Sequence, residues 1–323
     1  MWVEVVCGLV IYKLFRLWVA GEDDELDDKY ESNVHFVVAE KIEKIYGGKV
    51  YVGLRIPDDD NGERRNVDMV LVSKGKEVMV MTVKNLHGFV EVGDDRSWIC
   101  RSKDGSRERH PDPVMEMRQQ VSTLESYLEK RGAVLPSGYL KGRVVLPNPS
   151  CKTSQSISVH PEVIGFDKWN ELRPDFRAGF SNWVKDAFRG SKGDLQNETI
   201  QKLHFILGTA PMWDRLELRS GRHVLGEFIE FKGKSADMQK LRNLKRSKVN
   251  RFIIQKSTVF GFLGGSEHVV QYSLRDYRSE GSSASELKEI TVHNKTELIF
   301  QPMNSKKSMK FKLSKISSLI LSA

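Results

Sequence analysis

The fold is decided by residues 66–88, which read NVDMVLVSKGKEVMVMTVKNLHG. Two runs of β-branched and apolar residues flank a polar turn around Gly75, and this pattern predicts a β-hairpin. Side chains of a strand alternate between the two faces of a sheet, so Thr82 and Lys84 share one face of the second strand. The sequence therefore predicts that Asp68 of the first strand and Lys84 lie near the same end of the hairpin.

The segments around the hairpin predict a layered α/β domain. Helices are predicted at 34–46, 114–131, 180–188 and 195–207, and strands at 49–56, 88–92, 97–100, 142–146 and 162–166. The strand pair within 88–100 is expected to continue the sheet that contains the hairpin. The order of one helix, three strands, a helix and a strand predicts an α/β/α layer with a mixed sheet.

The pattern changes after Pro211. Short runs typical of strands occur at 215–218, 223–231, 251–262, 268–272, 288–292, 296–300 and 309–313, which predicts a mostly-β domain with a basic helix at 237–250. We therefore expect an apolar N-terminal segment at 1–20, an acidic linker at 21–32, a first domain at 33–208 and a basic β-rich domain at 209–323.

The positive charge is concentrated in the second domain. The chain has 51 Lys and Arg against 43 Asp and Glu, a net charge of +8. Residues 201–323 hold 22 Lys and Arg against 11 Asp and Glu, so this part has a net charge of +11. The first 200 residues then have a net charge of −3. Candidate anion-binding residues within the predicted basic helix and just after it are Lys240, Arg242, Lys245, Arg246, Lys248 and Arg251. This charge favours an anionic partner such as nucleic acid, a membrane surface or an acidic protein, or else forms a solvated basic face.

The N-terminal segment leaves three interpretations open. Residues 2–20 are apolar except for a few charges that include Lys13 and Arg16, whereas a membrane-spanning helix needs about 20 mostly apolar residues. The segment is a single-pass anchor, a helix at a membrane interface or on a partner, or an ordinary core helix. Three cysteines with no metal-ligand spacing indicate reduced thiols. We expect an intracellular protein, with membrane association through residues 1–20 as one alternative and the bulk of the chain in the cytosol.

Residues 40–120 resemble the nuclease-related domain, called NERD, a branch of the PD-(D/E)XK nuclease superfamily. The resemblance rests on residues 66–72, Gly75, residues 80–85, Gly88, Trp98, Pro113 and Gln120. With the apolar N-terminal segment and the β-rich C-terminal part, the whole chain is similar to the plant-type members. The resemblance implies an α/β restriction-endonuclease-like core, with a mixed sheet flanked by helices, followed by a smaller mostly-β domain.

The resemblance also implies a chemistry, which is hydrolysis of nucleic-acid phosphodiesters with Mg²⁺ or Mn²⁺. Asp68 would be the principal metal ligand, and Lys84 would position the attacking water or stabilise developing charge. Gln120 would support the site from the following helix. The family pattern places a second carboxylate two residues before the lysine, but this chain has Thr82 there.

The threonine leads to two hypotheses about function. In the first, the chain is a metal-dependent phosphodiesterase, impaired by the lost ligand, in which Glu40 or Glu43 supplies a substitute carboxylate. Both glutamates are otherwise solvated residues of the first helix. In the second hypothesis, the chain is a non-catalytic, membrane-tethered interaction or scaffold protein that binds an anionic partner through its basic C-terminal domain. Asp68 and Lys84 would then form a structural ion pair.

Overall fold

A computed structural model of the protein describes residues 33–57, 62–172, 197–242, 244–256, 267–274 and 287–322. The apolar N-terminal segment, the acidic linker and the predicted helix at 180–188 lie outside these residues. The end of the predicted strand at 251–262 does so as well. No helix within the described ranges is long and apolar enough to cross a membrane.

A five-stranded mixed sheet forms the centre of the first half of the chain. Its strands, in spatial order, are β1 (Lys49–Pro57), β2 (Arg64–Val72), β3 (Val78–Val83), β7 (Lys141–Val145) and β9 (Val163–Ile164). The first three strands pair antiparallel, and β7 pairs in parallel with both β3 and β9. The predicted hairpin is confirmed, and it provides two of the three innermost strands.

Helices cover both faces of this central sheet. Helix α1 (Asn33–Tyr46) packs Ile42 with Met69 and Met81 on one face, whereas helix α2 (Pro113–Lys130) packs Leu124 with Val70 and other even-numbered residues on the other. Shorter helices follow at α3 (Gln155–Ser158), α4 (Phe166–Glu171) and α5 (Asn197–Thr209). The layered mixed-sheet core predicted from the sequence is confirmed.

A second, four-stranded sheet lies beside the first. It contains β6 (Arg107–His110), β5 (Trp98–Arg101), β4 (Gly88–Val92) and β8 (Cys151–Thr153), in that spatial order. The prediction that the strand pair within 88–100 continues the central sheet is wrong, because β7 occupies the free edge of β3. Val90 and Trp98 instead pack with Met117 of α2 in a separate apolar cluster.

The C-terminal part forms an eight-stranded antiparallel sheet, which confirms the predicted mostly-β unit. Its strands are β10 (Asp214–Leu218), β11 (His223–Lys232), β12 (Val249–Lys256), β13 (Glu267–Leu274), β14 (Lys288–His293), β15 (Glu297–Pro302), β16 (Met309–Lys312) and β17 (Ile316–Ile320), with a 3-10 turn at Leu313–Lys315. Their spatial order is β14-β13-β12-β17-β10-β11-β15-β16. Three residues join edge strand β14 to β15, which lies next to the opposite edge, so the sheet must curl on itself. Its interior holds one core that includes Phe252 and Phe300.

The helix of this C-terminal sheet is shorter than the sequence predicts. Helix α6 spans Ser235–Leu241, and strand β12 already begins at Val249, so the predicted helix at 237–250 is wrong over its second half. Leu244 and Val249 are both buried in the core of the sheet, and the chain turns to place them there. Asp237 is also buried, where it accepts hydrogen bonds from the His293 amide and the Thr296 hydroxyl.

The central sheet and the C-terminal sheet are joined through strand β1. The Arg55 amide donates to the Pro211 carbonyl at 2.8 Å, and the Trp213 amide donates to the Gly53 carbonyl at 2.9 Å. The Arg55 guanidinium also lies 3.9 Å from the centre of the Trp213 ring. The connecting residues 211–213 therefore cover the outer edge of β1.

Candidate functional site

The face of the central sheet that packs against α2 collects the predicted site residues. The register that pairs Val70 with Val80 places Asp68 opposite Thr82, and Lys84 follows β3 on the same face. Gln120 reaches this face from α2. The structure therefore brings together Asp68, Thr82 and Gln120, with Lys84 at the end of the strand.

Asp68 and Gln120 hold each other through two hydrogen bonds. The Asp68 amide donates to Gln120 Oε1 at 3.0 Å, and Gln120 Nε2 donates to Asp68 Oδ1 at 3.3 Å. The second carboxylate oxygen, Oδ2, accepts from the Val83 amide at 3.4 Å. Both oxygens of the carboxylate are thus engaged by donors of the protein, and they link β2, β3 and α2.

Gly53 explains why the Asp68 amide is available to Gln120. The pairing of β1 with β2 omits Gly53 and Asp68, and Gly53 has a positive φ of 72°. This left-handed conformation turns the Gly53 carbonyl toward the Trp213 amide, away from β2. The Asp68 amide therefore loses its usual acceptor on the neighbouring strand, and the side chain of Gln120 replaces it.

Thr82 is enclosed at the position where the resemblance implies an acid. It is 0% exposed, and its neighbour on the other side is Val144 of β7. Its hydroxyl has no hydrogen-bond partner among the described residues. The acid position is therefore neutral and shielded from solvent.

Lys84 pairs with a carboxylate that the sequence pattern does not predict. Its Nζ lies 2.7 Å from Glu116 Oε2, and Glu116 is one helical turn before Gln120 on α2. The expected ion pair between Asp68 and Lys84 is wrong, because the lysine turns to the helix instead. The four-residue spacing between Glu116 and Gln120, which places both on one helix face, was the signal that could have found it.

Glu40 and Glu43 do not reach Asp68, since α1 packs on the opposite face of the central sheet. Glu40 is exposed, and a hydrogen bond from Lys44 together with the positive charge of that lysine lowers the pKa of Glu40. Glu43 accepts a hydrogen bond of 2.7 Å from the amide of Val50, near the hairpin-turn end of β2. Neither glutamate is placed to replace the missing carboxylate.

The donor set around Asp68 does not fit a divalent metal. Mg²⁺ and Mn²⁺ take oxygen ligands in a near-octahedral arrangement and keep several waters, so they need open coordination positions. Here one carboxylate is occupied by amide donors, the threonine beside it is buried, and the nearby lysine is paired with Glu116. In the part of the chain that the structure describes, no group of three or more His, Cys, Asp or Glu is placed to hold a metal ion.

The six candidate anion-binding residues of the C-terminal sheet differ in their surroundings. Arg246 forms a bidentate ion pair with the buried Asp214, with both distances at 2.5 Å, so its role is structural. Lys240 donates to the Thr291 carbonyl at 3.0 Å. The remaining four, Arg242, Lys245, Lys248 and Arg251, have exposed side chains.

Comparison with known proteins gives one family match, which covers part of the chain. Residues 30–147 match the family model of the nuclease-related domain, NERD. The matched range contains the hairpin together with Asp68, Thr82, Lys84 and Gln120. No curated protein and no solved structure matches the chain.

Proposed function

We propose that this chain, whose residues 30–147 match the nuclease-related domain family, has a nuclease-related role in which the Asp68 site supports the fold and does not hydrolyse phosphodiesters. The observation that carries the proposal is the engagement of both Asp68 carboxylate oxygens by the Val83 amide and the Gln120 side chain. A carboxylate held in this way links β2 and β3 to α2 and so stabilises the fold.

The neighbours of Asp68 support the same conclusion. Hydrolysis by this class of nuclease needs a metal that polarises the phosphate and activates a water. Thr82 offers a neutral and inaccessible hydroxyl where the second carboxylate belongs. Lys84 is engaged by Glu116, so it would have to leave this partner before it could stabilise charge on a phosphate.

The test is a cleavage assay with the full chain. Single- and double-stranded DNA and RNA are incubated with Mg²⁺ or with Mn²⁺, and we expect no metal-dependent products from the wild type. Asp68→Ala is expected to lower stability, because it leaves the Val83 amide and the Gln120 side chain with unsatisfied groups. Metal-dependent cleavage that is abolished by Asp68→Ala and by Lys84→Ala, and kept by the exposed control Lys103→Ala, would overturn the proposal in favour of a phosphodiesterase.

We also propose that the C-terminal sheet contacts an anionic partner. Its part of the chain has a charge of +11, and five of the six candidate cations of the segment 240–251 have exposed side chains. Such a contact weakens strongly as salt rises if it is made to phosphates. An affinity that stays constant between low and high salt would show that the partner is recognised by other means.

We further propose that residues 1–20 hold the protein at a membrane, since this segment is apolar apart from a few charged residues. Deleting residues 1–20 is then expected to lower the share of the protein that is found in the membrane fraction of cells. An unchanged distribution after the deletion would exclude this role of the segment.

A further inference from the structure

A groove in the C-terminal sheet is lined by cationic and aliphatic side chains. It lies between strand β11 and the segment that contains α6, and it has a volume of about 350 Å³. An adjoining depression of about 480 Å³ shares Glu230, Phe231, Met238 and Arg242 with it. The two depressions form one surface, which we name the β11 groove.

An exposed isoleucine lines the β11 groove because strand β11 is bulged. Phe228 pairs with Phe300 and Glu230 pairs with Ile299, so Ile229 is an extra residue without a partner position on β15. Its side chain is 47% exposed. A bulge re-aims a side chain out of the regular alternation, and here it presents an aliphatic group to solvent.

The buried ion pair of Asp214 and Arg246 holds this bulge in place. The Phe228 amide donates to Asp214 Oδ2 at 2.7 Å, and Arg246 Nη2 donates to the Phe228 carbonyl at 3.3 Å. Both backbone groups of the residue before Ile229 are therefore fixed by side chains. The exposure of Ile229 is a feature of the folded sheet and not the result of a frayed strand end.

Two cations of the β11 groove are not balanced by a carboxylate. Arg242 and Lys245 line the groove with exposed side chains, and neither side chain has an ion-pair or hydrogen-bond partner among the residues that the structure describes. The negative charge of Glu230 is shared with Lys232 at 3.6 Å, and that of Asp214 is taken by Arg246. The groove therefore combines a net positive rim with an exposed aliphatic side chain.

We propose that the β11 groove binds an anionic phospholipid at a membrane surface. Arg242 and Lys245 contact the headgroup phosphate, and Ile229 enters the boundary between headgroups and acyl chains. This inference rests on the proposed anionic partner of the C-terminal sheet and names its class. Single-stranded nucleic acid would need exposed aromatic faces for stacking, whereas the rings of Phe228 and Phe231 pack on each other and on Phe252.

The experiment is co-sedimentation of the full chain with vesicles. One set contains phosphatidylcholine alone, and the other contains an equal mixture of phosphatidylcholine and phosphatidylserine. Residues 1–20 can bind both kinds of vesicle, so the groove is read from the gain in affinity that phosphatidylserine gives. We expect the mixed vesicles to bind more tightly, and we expect the double variant Arg242→Glu/Lys245→Glu to lower this gain by at least about 30-fold. Ile229→Thr, which keeps a β-branched side chain in the strand, is expected to weaken binding while the fold is unchanged by circular dichroism.

A matched control separates the groove from net charge. Lys306→Glu/Lys307→Glu changes the charge of the chain by the same amount in the exposed turn between β15 and β16, and it should keep vesicle binding. A gain from phosphatidylserine that the groove variants leave intact, or that this control lowers as strongly, would overturn the proposal.

A nucleic-acid arm tests the competing partner. The competing result is that a single-stranded oligonucleotide binds, that Arg242→Glu/Lys245→Glu loses this binding and Ile229→Thr keeps it, and that phosphatidylserine gives no gain. This result would show that the groove binds nucleic acid and not lipid. The cleavage assay is read separately, so a failure of vesicle binding leaves the conclusion about Asp68 unaffected. Metal-dependent cleavage would likewise leave the result on vesicles standing.

Discussion

Replacing Thr82 by valine is expected to stabilise the protein. The side chain is 0% exposed, and its hydroxyl has no partner among the described residues. Burying a hydroxyl without a hydrogen bond costs about 1–3 kcal/mol in proteins. Valine has nearly the same shape, so the substitution removes this cost without opening a cavity. Small shifts of the neighbours relieve part of the cost in the wild type, and we therefore expect a gain of about 1 kcal/mol.

Hydrogen exchange measured by mass spectrometry on peptides that cover β3 is the suitable assay. It reports the free energy of opening around Thr82 and does not require the whole chain to unfold in one step. Thr82→Ser is the matched control, because it keeps the hydroxyl and removes the methyl group. This control is expected to destabilise the same peptides by about 1 kcal/mol.

A destabilising effect of Thr82→Val would refute the reasoning. It would mean that the hydroxyl has a partner in solution, such as a bound water or an ion. Repeating the measurement with and without Mg²⁺ distinguishes these two cases. A loss of stability that appears in Mg²⁺ alone would identify Thr82 as part of a metal site, and the structural role of Asp68 would have to be abandoned.

Three further predictions concern the junction and the C-terminal sheet. Gly53→Ala should lower the free energy of unfolding by about 1–2 kcal/mol in urea titrations, because alanine is strained at a φ of 72°; an unchanged midpoint would contradict this. Arg246→Met should lower the free energy of unfolding by about 3 kcal/mol in the same assay, because it leaves the carboxylate of Asp214 buried without its cation. A loss smaller than that of the exposed control Arg251→Met would contradict this. Burial, together with the charge of Arg215, lowers the pKa of His223. The unfolded chain therefore binds more protons than the folded chain, and the free energy of unfolding should fall as the pH drops below about 6.5. This fall should be smaller in the variant His223→Gln.

The sequence predicted the parts of the fold that have strong periodicity. The hairpin, α1, α2 and most strands of the C-terminal sheet follow from alternating or helical patterns of apolar residues. Strand β6 could not be predicted in this way, because Arg107–His110 contains no apolar residue. The separate four-stranded sheet was also missed, since sequence patterns do not tell which strand occupies the free edge of β3.

The candidate site was predicted in its members but not in its contacts. Alternation along β2 and β3 placed Asp68 and Thr82 on one face, and helical spacing directed Gln120 toward the sheet. The partner of Lys84 was missed because Glu116 lies on another element, and ion pairs between elements depend on how they pack. The basic helix was predicted too long because its charges obscured Leu244 and Val249, which the core requires.

The covered edge of β1 has a consequence for how the molecule can be divided. The matched family range ends at residue 147, yet the amide of Arg55 and the carbonyl of Gly53 find their partners in residues 211–213. A chain cut after the first half would expose an apolar strand with unpaired backbone groups, which is a template for pairing with other molecules. We therefore expect the isolated first half of the chain to self-associate. In the whole chain, residues 211–213 protect the edge of β1 from this pairing.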